Sequence, residues 1–204
     1  MQSLGLHVFI IKHLVKLRYS CIMIIHLKNI EPKDGILVST ENRLNDIKKY
    51  EVVVKRLEDR GVILEDIAQI ALDLQIKYLP NLTFEFCLEH VKKVVMKREV
   101  QNAILTGLEL DILAEKGLLS EPLSTMLLSD YGLYGIDEVL ALAIVNVYGS
   151  IGFTNFGYVD KTKPGIIGKL DKEGKAKDRC NTFLDDIVGA IAAAAASSIA
   201  HRFA

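Results

Sequence analysis

Asp137 to Tyr148 reads DEVLALAIVNVY, and Asp185 to Ala200 reads DDIVGAIAAAAASSIA. Each stretch opens on an acidic doublet and runs on without a charge, Val139 to Val159 in the first case and Ile187 to Ala200 in the second. A helix that is apolar all round is buried all round, so the first is read as a buried helix running into a tight glycine turn. The second predicts a helix from about Phe183 to His201, whose alanines and Gly189 let neighbours approach closely. No alternating strand pattern competes. The expectation is an all-α fold, a single compact multi-helix domain with buried apolar C-terminal helices.

Upstream, the punctuation is regular. Leu44, Ile47, Val54 and Leu57 recur at helical spacing, and Gly61 offers a left-handed stop. A second helix carries Ile67, Ile70, Ala71 and Leu74 and ends before Pro80. Thr83 caps a third, with Cys87, Leu88, Val91, Val94 and Val95 inward. A fourth runs from about Glu99 to Lys116, with Ala103, Ile104, Leu108 and Ile112 facing the core and Asn102, Thr106 and Glu109 on a polar stripe. Ser120 then caps a short helix with Pro122 in its first turn. His90 and His201 read as surface or boundary residues, and no Ser, His or Cys arrangement suggests a nucleophile.

A chain of 204 residues, half of them hydrophobic and a quarter charged, suits one domain. The formal charge of -1 argues against a nucleic-acid partner. Cys21, Cys87 and Cys180 are too few and too scattered for a disulfide framework or a zinc site, which points to the cytoplasm. Residues 1–38 form an apolar and basic leader, separate from the domain at 39–204. Its apolar runs are broken by Lys12, Lys16 and Arg18, unlike a bilayer span or a signal peptide. If Leu4 to Leu17 were helical, it would carry the apolar stripe of a helix lying on a membrane surface.

Asp137-Glu138 and Asp185-Asp186 carry the chemistry. Carboxylates in a first helical turn are stabilised by the helix dipole, and Thr182 to Asp185 resembles a capping box. Four carboxylates beside one apolar core nevertheless repel one another unless a cation or basic side chain lies among them. Successive helical residues point about 100° apart, so one primary ligand and one supporting residue are expected from each pair. Oxygen ligands suggest a hard cation such as Mg²⁺, which leaves coordination positions for water and phosphate. Between the doublets, Gly149 to Lys177 is rich in glycine and lysine and reads as loop, with Asp160, Lys161, Lys163 and Lys169 available to a phosphate. Lys172 to Arg179 reads as solvated surface. Gly152 and Gly157 are spaced as in a P-loop, but Tyr158-Val159 stands where Lys-Ser/Thr belongs.

The order G-x-D-E, then Val159-Asp160-Lys161-Thr162-Lys163-Pro164-Gly165, then Asp185-Asp186-Ile187-Val188-Gly189-Ala190 resembles phosphatidylglycerophosphatase A. The likeness is to its soluble Gram-positive branch, some members of which are called low temperature requirement C proteins, and it extends from about Leu57 to Arg202. The resemblance implies a Mg²⁺-dependent phosphatase that converts phosphatidylglycerophosphate to phosphatidylglycerol. By position it implies Asp137, Asp160, Lys163 and Asp186 as catalytic residues and Asp137, Glu138, Asp185 and Asp186 as metal ligands. Its substrate class is a phosphorylated glycerolipid, met by peripheral contact with the inner face of the membrane. The G-T-x-G-S motif of the family's membrane members is not found in this sequence.

Two other functions compete. An all-α nucleotide pyrophosphohydrolase also gathers acids around Mg²⁺, but its E-E-x-x-E signature is missing. A helical regulatory or cold-adaptation protein would use the doublets only as caps and show no metal dependence. Under every reading a homo-oligomer is expected, because the Ala-rich last helix exceeds what one small core covers.

Overall fold

The computed structural model describes residues 40–176 and 179–203, nearly all within the compact unit Arg43–Ala204. The leader lies outside the described residues. In chain order the helices are α1 (Thr40–Asp59), α2 (Leu64–Gln75), α3 (Phe84–Val95), α4 (Arg98–Glu115), α5 (Leu123–Leu128) and α6 (Ile136–Val145). A single 3₁₀ turn at Asn146–Tyr148 leads into α7 (Gly149–Thr162), followed by α8 (Ile166–Lys175) and α9 (Leu184–Phe203). No strand occurs among the described residues, and the protein is all-α as its sequence implies. Gly61 and Gly117 turn the chain with φ of +83° and +64°, and Thr83 caps α3 by accepting the Phe86 N–H at 3.3 Å.

The other helices gather around α9. It packs on α2, α3, α4, α6, α7 and α8. Ala190 and Ala192 to Ala196 are fully buried along with Ile187 and Ile191. Each buried methyl contributes only roughly 0.8 kcal/mol, so the alanines matter chiefly for shape, since a thin helix can have neighbours on every side. The chain's own helices thus cover the Ala-rich helix, and the argument for an oligomer drawn from it falls away.

Three sequence expectations are corrected. DEVLALAIVNVY buries Ala141, Ile144 and Val145 but leaves Val139 more than half exposed, as is Ile136 just before it, so α6 has one core face rather than burial all round. The glycine- and lysine-rich segment is mostly helix, because Phe156, Val159, Ile167 and Leu170 are buried and tertiary packing overrides weak local propensity. Its end follows suit, since Lys172 to Lys175 complete α8. His90 is buried rather than at a boundary, with its Nδ1 3.0 Å from Ser198 Oγ. The polar stripe of α4 meets α1, with Lys49 donating to Asn102 and Arg56 paired with Glu109 at 2.8 Å.

Close approach of α4 and α9 depends on Gly107. A Cβ there would lie 2.4 Å from Ile187 Cδ1, 3.0 Å from Phe183 Cβ and 3.2 Å from Leu140 Cδ2. Gly107→Ala is expected to destabilise the protein by about 1–3 kcal/mol, the usual cost of overpacking, read as a lowered urea midpoint with an unchanged m-value.

Candidate active site

Helices α6 and α9 present their doublets in the same register. Ile136 and Leu184 are the first helical residues, so Asp137 and Asp185 are second and Glu138 and Asp186 third. In both helices the aspartate turns back on its own first turn. Asp137 Oδ1 accepts the Glu138 N–H at 3.0 Å, and Asp185 Oδ1 accepts the Asp186 N–H at 2.9 Å. Two positive helix ends therefore meet a common group of carboxylates.

Lys163 enters from the end of α7, where it adopts a left-handed conformation (φ 44°, ψ 57°) directly before Pro164. Proline disfavours helical geometry in the residue that precedes it, and the helix stops there. Lys163 Nζ donates to Asp160 Oδ1 at 2.8 Å and Asp185 Oδ2 at 3.0 Å, and lies 3.6 Å from Asp186 Oδ1. Burial works against the ammonium charge, but Asp185, Asp160 and Asp186 outweigh it and hold the lysine above its ordinary value. Gly168 makes this turn possible, because a Cβ there would sit 2.5 Å from the Lys163 carbonyl oxygen.

Asp186 is also close to Asp137 and Glu138. One oxygen from each of these three residues falls within 4.8 Å of the others. Oxygens around one octahedral ion at about 2.1 Å lie within about 4.2 Å of each other, so small side-chain rotations would close the set. Among the described residues Glu138 Oε2 has no hydrogen-bond partner, and a cation is one of the partners that can satisfy such an atom. Burial pushes Asp186 up to about 8, aided by the charge of Asp185 and only partly offset by Lys163. Burial and the hydrogen bond shared with Glu138 raise Asp137 to about 7. Burial likewise raises Asp185 to about 6 against the pull of Lys163. One ammonium does not balance this group of acids.

The turn before α9 is held from several sides. Arg60, itself buried, pairs with Glu115 at 2.8 Å and donates to Cys180 O at 2.6 Å and Asn181 Oδ1 at 2.9 Å. Glu115 accepts the Cys180 N–H at 2.8 Å, and Thr182 Oγ1 donates to Leu127 O at 2.7 Å. Asp111 of α4, wholly buried, accepts the N–H of Phe183 at 3.2 Å and of Leu184 at 3.0 Å. The capping box suggested by Thr182 to Asp185 does not form, since the Asp185 N–H goes to Asn181 O at 3.3 Å and the Asp185 carboxylate to the Asp186 N–H and Lys163.

A family model described as Phosphatidylglycerophosphatase A matches residues 61–201. The chain belongs to the phosphatidylglycerophosphatase A family. An uncharacterized protein of Bacillus subtilis, YutG, is 61% identical over 147 residues, which is 72% of this chain and 87% of that relative. A solved structure from Bacillus stearothermophilus, a protein of unknown function, is 61% identical with a TM-score of 0.73 and covers 76% of this chain and 95% of its own. The low temperature requirement C protein of Listeria monocytogenes is 56% identical with the same TM-score, covering 76% and 96%.

The residues picked out by the phosphatidylglycerophosphatase A motifs thus sort into two neighbouring groups that share Asp186. Asp137, Glu138 and Asp186 converge, while Asp160 and Asp185 hold Lys163. Lys161 and Lys169 are exposed, the latter 3.8 Å from Glu173. Asp111 was missed, yet it carried a signal. Val100, Ala103, Ile104, Gly107, Leu108 and Ala114 are among the buried positions of α4, and Asp111 falls among them at helical spacing, where a solvated acid has no place.

The raised carboxylates give stability a direction with pH. Their folded values lie above the unfolded value of about 4, so the folded state keeps protons that the unfolded chain releases. In EDTA, stability is expected to be greatest at low pH in this range and to fall as pH rises from about 5 to 8. Asp186→Asn, which cannot ionise, should flatten that fall in urea melts taken at successive pH values.

Proposed function

We propose that this protein is a Mg²⁺-dependent phosphoric monoester hydrolase that removes the terminal phosphate of phosphatidylglycerophosphate. The observation that carries this reading is the convergence of Asp137, Glu138 and Asp186 beside the lysine held by Asp160 and Asp185. Family membership supports a phosphatase, although the relatives above carry no assigned activity in their names.

In this reading Asp137, Glu138 and Asp186 hold the ion. A bound Mg²⁺ supplies Lewis acidity toward a phosphoryl oxygen and lowers the pKa of water. The chain's own residues do the remaining work. Lys163 sets a positive charge beside the transferring group, held in place by Asp160 and Asp185. The N-termini of α6 and α9 add partial positive charge on the same side. Asp160 has the most open side chain of the three acids around Lys163, 42% exposed against 12% for Asp185 and 7% for Asp186, and forms the edge of the site toward water.

The lipid part of the proposal is supported by what surrounds the acids. Ile136 and Val139, which flank Asp137 and Glu138, are more than half exposed, and Phe153 and Tyr158 of α7 are exposed too. Both Ile136–Thr162 and Leu184–Phe203 are long and apolar enough to cross a membrane by length and composition. The apolar window of the second is 78% buried inside the fold, whereas that of the first is only 28% buried. Of these two stretches the α6–α7 one is the more open to acyl chains, and we assign peripheral contact with the lipid surface to it.

Phosphate release from phosphatidylglycerophosphate in detergent micelles tests the reading. Release is expected with Mg²⁺, to stop in EDTA, and to fall by about 10²-fold or more in folded Asp137→Asn, Asp186→Asn and Lys163→Met. Glycerol 3-phosphate, which lacks acyl chains, should be hydrolysed far more slowly. Equal rates on the two substrates would place the function with a soluble phosphate ester, and no release from either would contradict the phosphatase reading.

A further inference from the structure

The first turn of α9 can be accounted for donor by donor, as any helix start requires. The Phe183 and Leu184 N–H groups go to the Asp111 carboxylate, Asp185 N–H goes to Asn181 O at 3.3 Å, and Asp186 N–H goes to Asp185 Oδ1 at 2.9 Å. Phe183 N–H lies 3.2 and 3.3 Å from the two Asp111 oxygens, and the Cys180 thiol donates to Oδ1 at 3.5 Å. The carboxylate comes from α4, 72 positions earlier in the chain than Phe183. A helix beginning Asn-Thr-Phe-Leu-Asp-Asp would ordinarily be capped by its own Thr or Asp. Here Thr182 is bonded to Leu127, and Asp185 Oδ2 is turned to Lys163.

We propose that Asp111 is a positioning residue for the cation site, capping α9 from α4 so that Asp185 and Asp186 are left for Lys163 and the ion. The inference rests on the metal-site reading above. Both oxygens of Asp111 act as acceptors, and its complete burial fixes them against the helix start. Replacing one oxygen by an NH₂ group sets a donor against a donor. The freed N–H groups then compete for the carboxylates of their own helix start, Asp185 and Asp186, and draw them from the site.

Mn²⁺ serves as the probe, its binding to Asp111→Asn and wild type measured by electron paramagnetic resonance and stability measured by urea melts in EDTA. Asp111→Asn is expected to bind Mn²⁺ at least about tenfold more weakly, the range for residues that orient metal ligands. Thr182→Val removes a buried bond of the same turn without touching the Phe183 and Leu184 N–H groups, and should lose stability while keeping its Mn²⁺ affinity. Affinity within about twofold of wild type in folded Asp111→Asn, or an equal loss in Thr182→Val, overturns the proposal. If Asp111→Asn does not fold, Asp111→Ser takes its place with added formate as a replacement carboxylate. Formate that restores Mn²⁺ affinity supports the proposal. A folded Asp111→Ser on which formate has no effect, or failure to fold even with formate, assigns Asp111 to the fold alone. Wild type that binds no Mn²⁺ removes the metal-site reading itself, a result visible without any variant.

Discussion

A helix enclosed on every side has to begin inside the protein, and the polar groups at its beginning have to be satisfied there. The start of α9 is such a place. Its alanines let α2, α3, α4, α6, α7 and α8 close around it, and that enclosure carries Asp185 and Asp186 out of water. Each buried N–H left without an acceptor would cost roughly 1–3 kcal/mol, which is why the preceding turn is clamped by Glu115 and Asp111 of α4, Leu127 of α5 and Arg60 just after α1. Packing along the helix and hydrogen bonding at its end are parts of one arrangement.

The electrostatics follow from the same burial. Carboxylates placed in a medium that solvates charge poorly hold their protons more tightly, and Asp186, close both to Lys163 and to Asp137 with Glu138, is pushed furthest. The two helix ends and one ammonium relieve part of this strain. A divalent ion would settle the balance and at the same time create a site with affinity for a phosphate dianion.

The helices were legible because their apolar residues recur at helical spacing and their ends carry Gly61, Thr83 and Gly117. The acidic doublets were legible as a pair because each stands before a long charge-free run. Periodicity did not reveal α7 and α8, whose glycines and lysines weaken the local pattern while contact with α9 supplies the stability. The shape of α6 was hidden for the opposite reason, since a helix apolar on all faces gives no clue to which face meets the core. Sequence spacing also could not say that Thr182 would bond to Leu127 or that Asp111 would cap a helix far along the chain. Such choices depend on which helices become neighbours.

In the site we propose, two helix starts bring Asp137, Glu138 and Asp186 together as the ligands of one divalent cation beside Lys163. Anomalous diffraction from crystals soaked in Mn²⁺ would locate that ion. A single strong peak is expected about 2.2 Å from an oxygen of each of the three side chains, with Lys163 still on Asp160 and Asp185. A map at saturating Mn²⁺ with no peak among those oxygens, or with its peak elsewhere on the molecule, would contradict it.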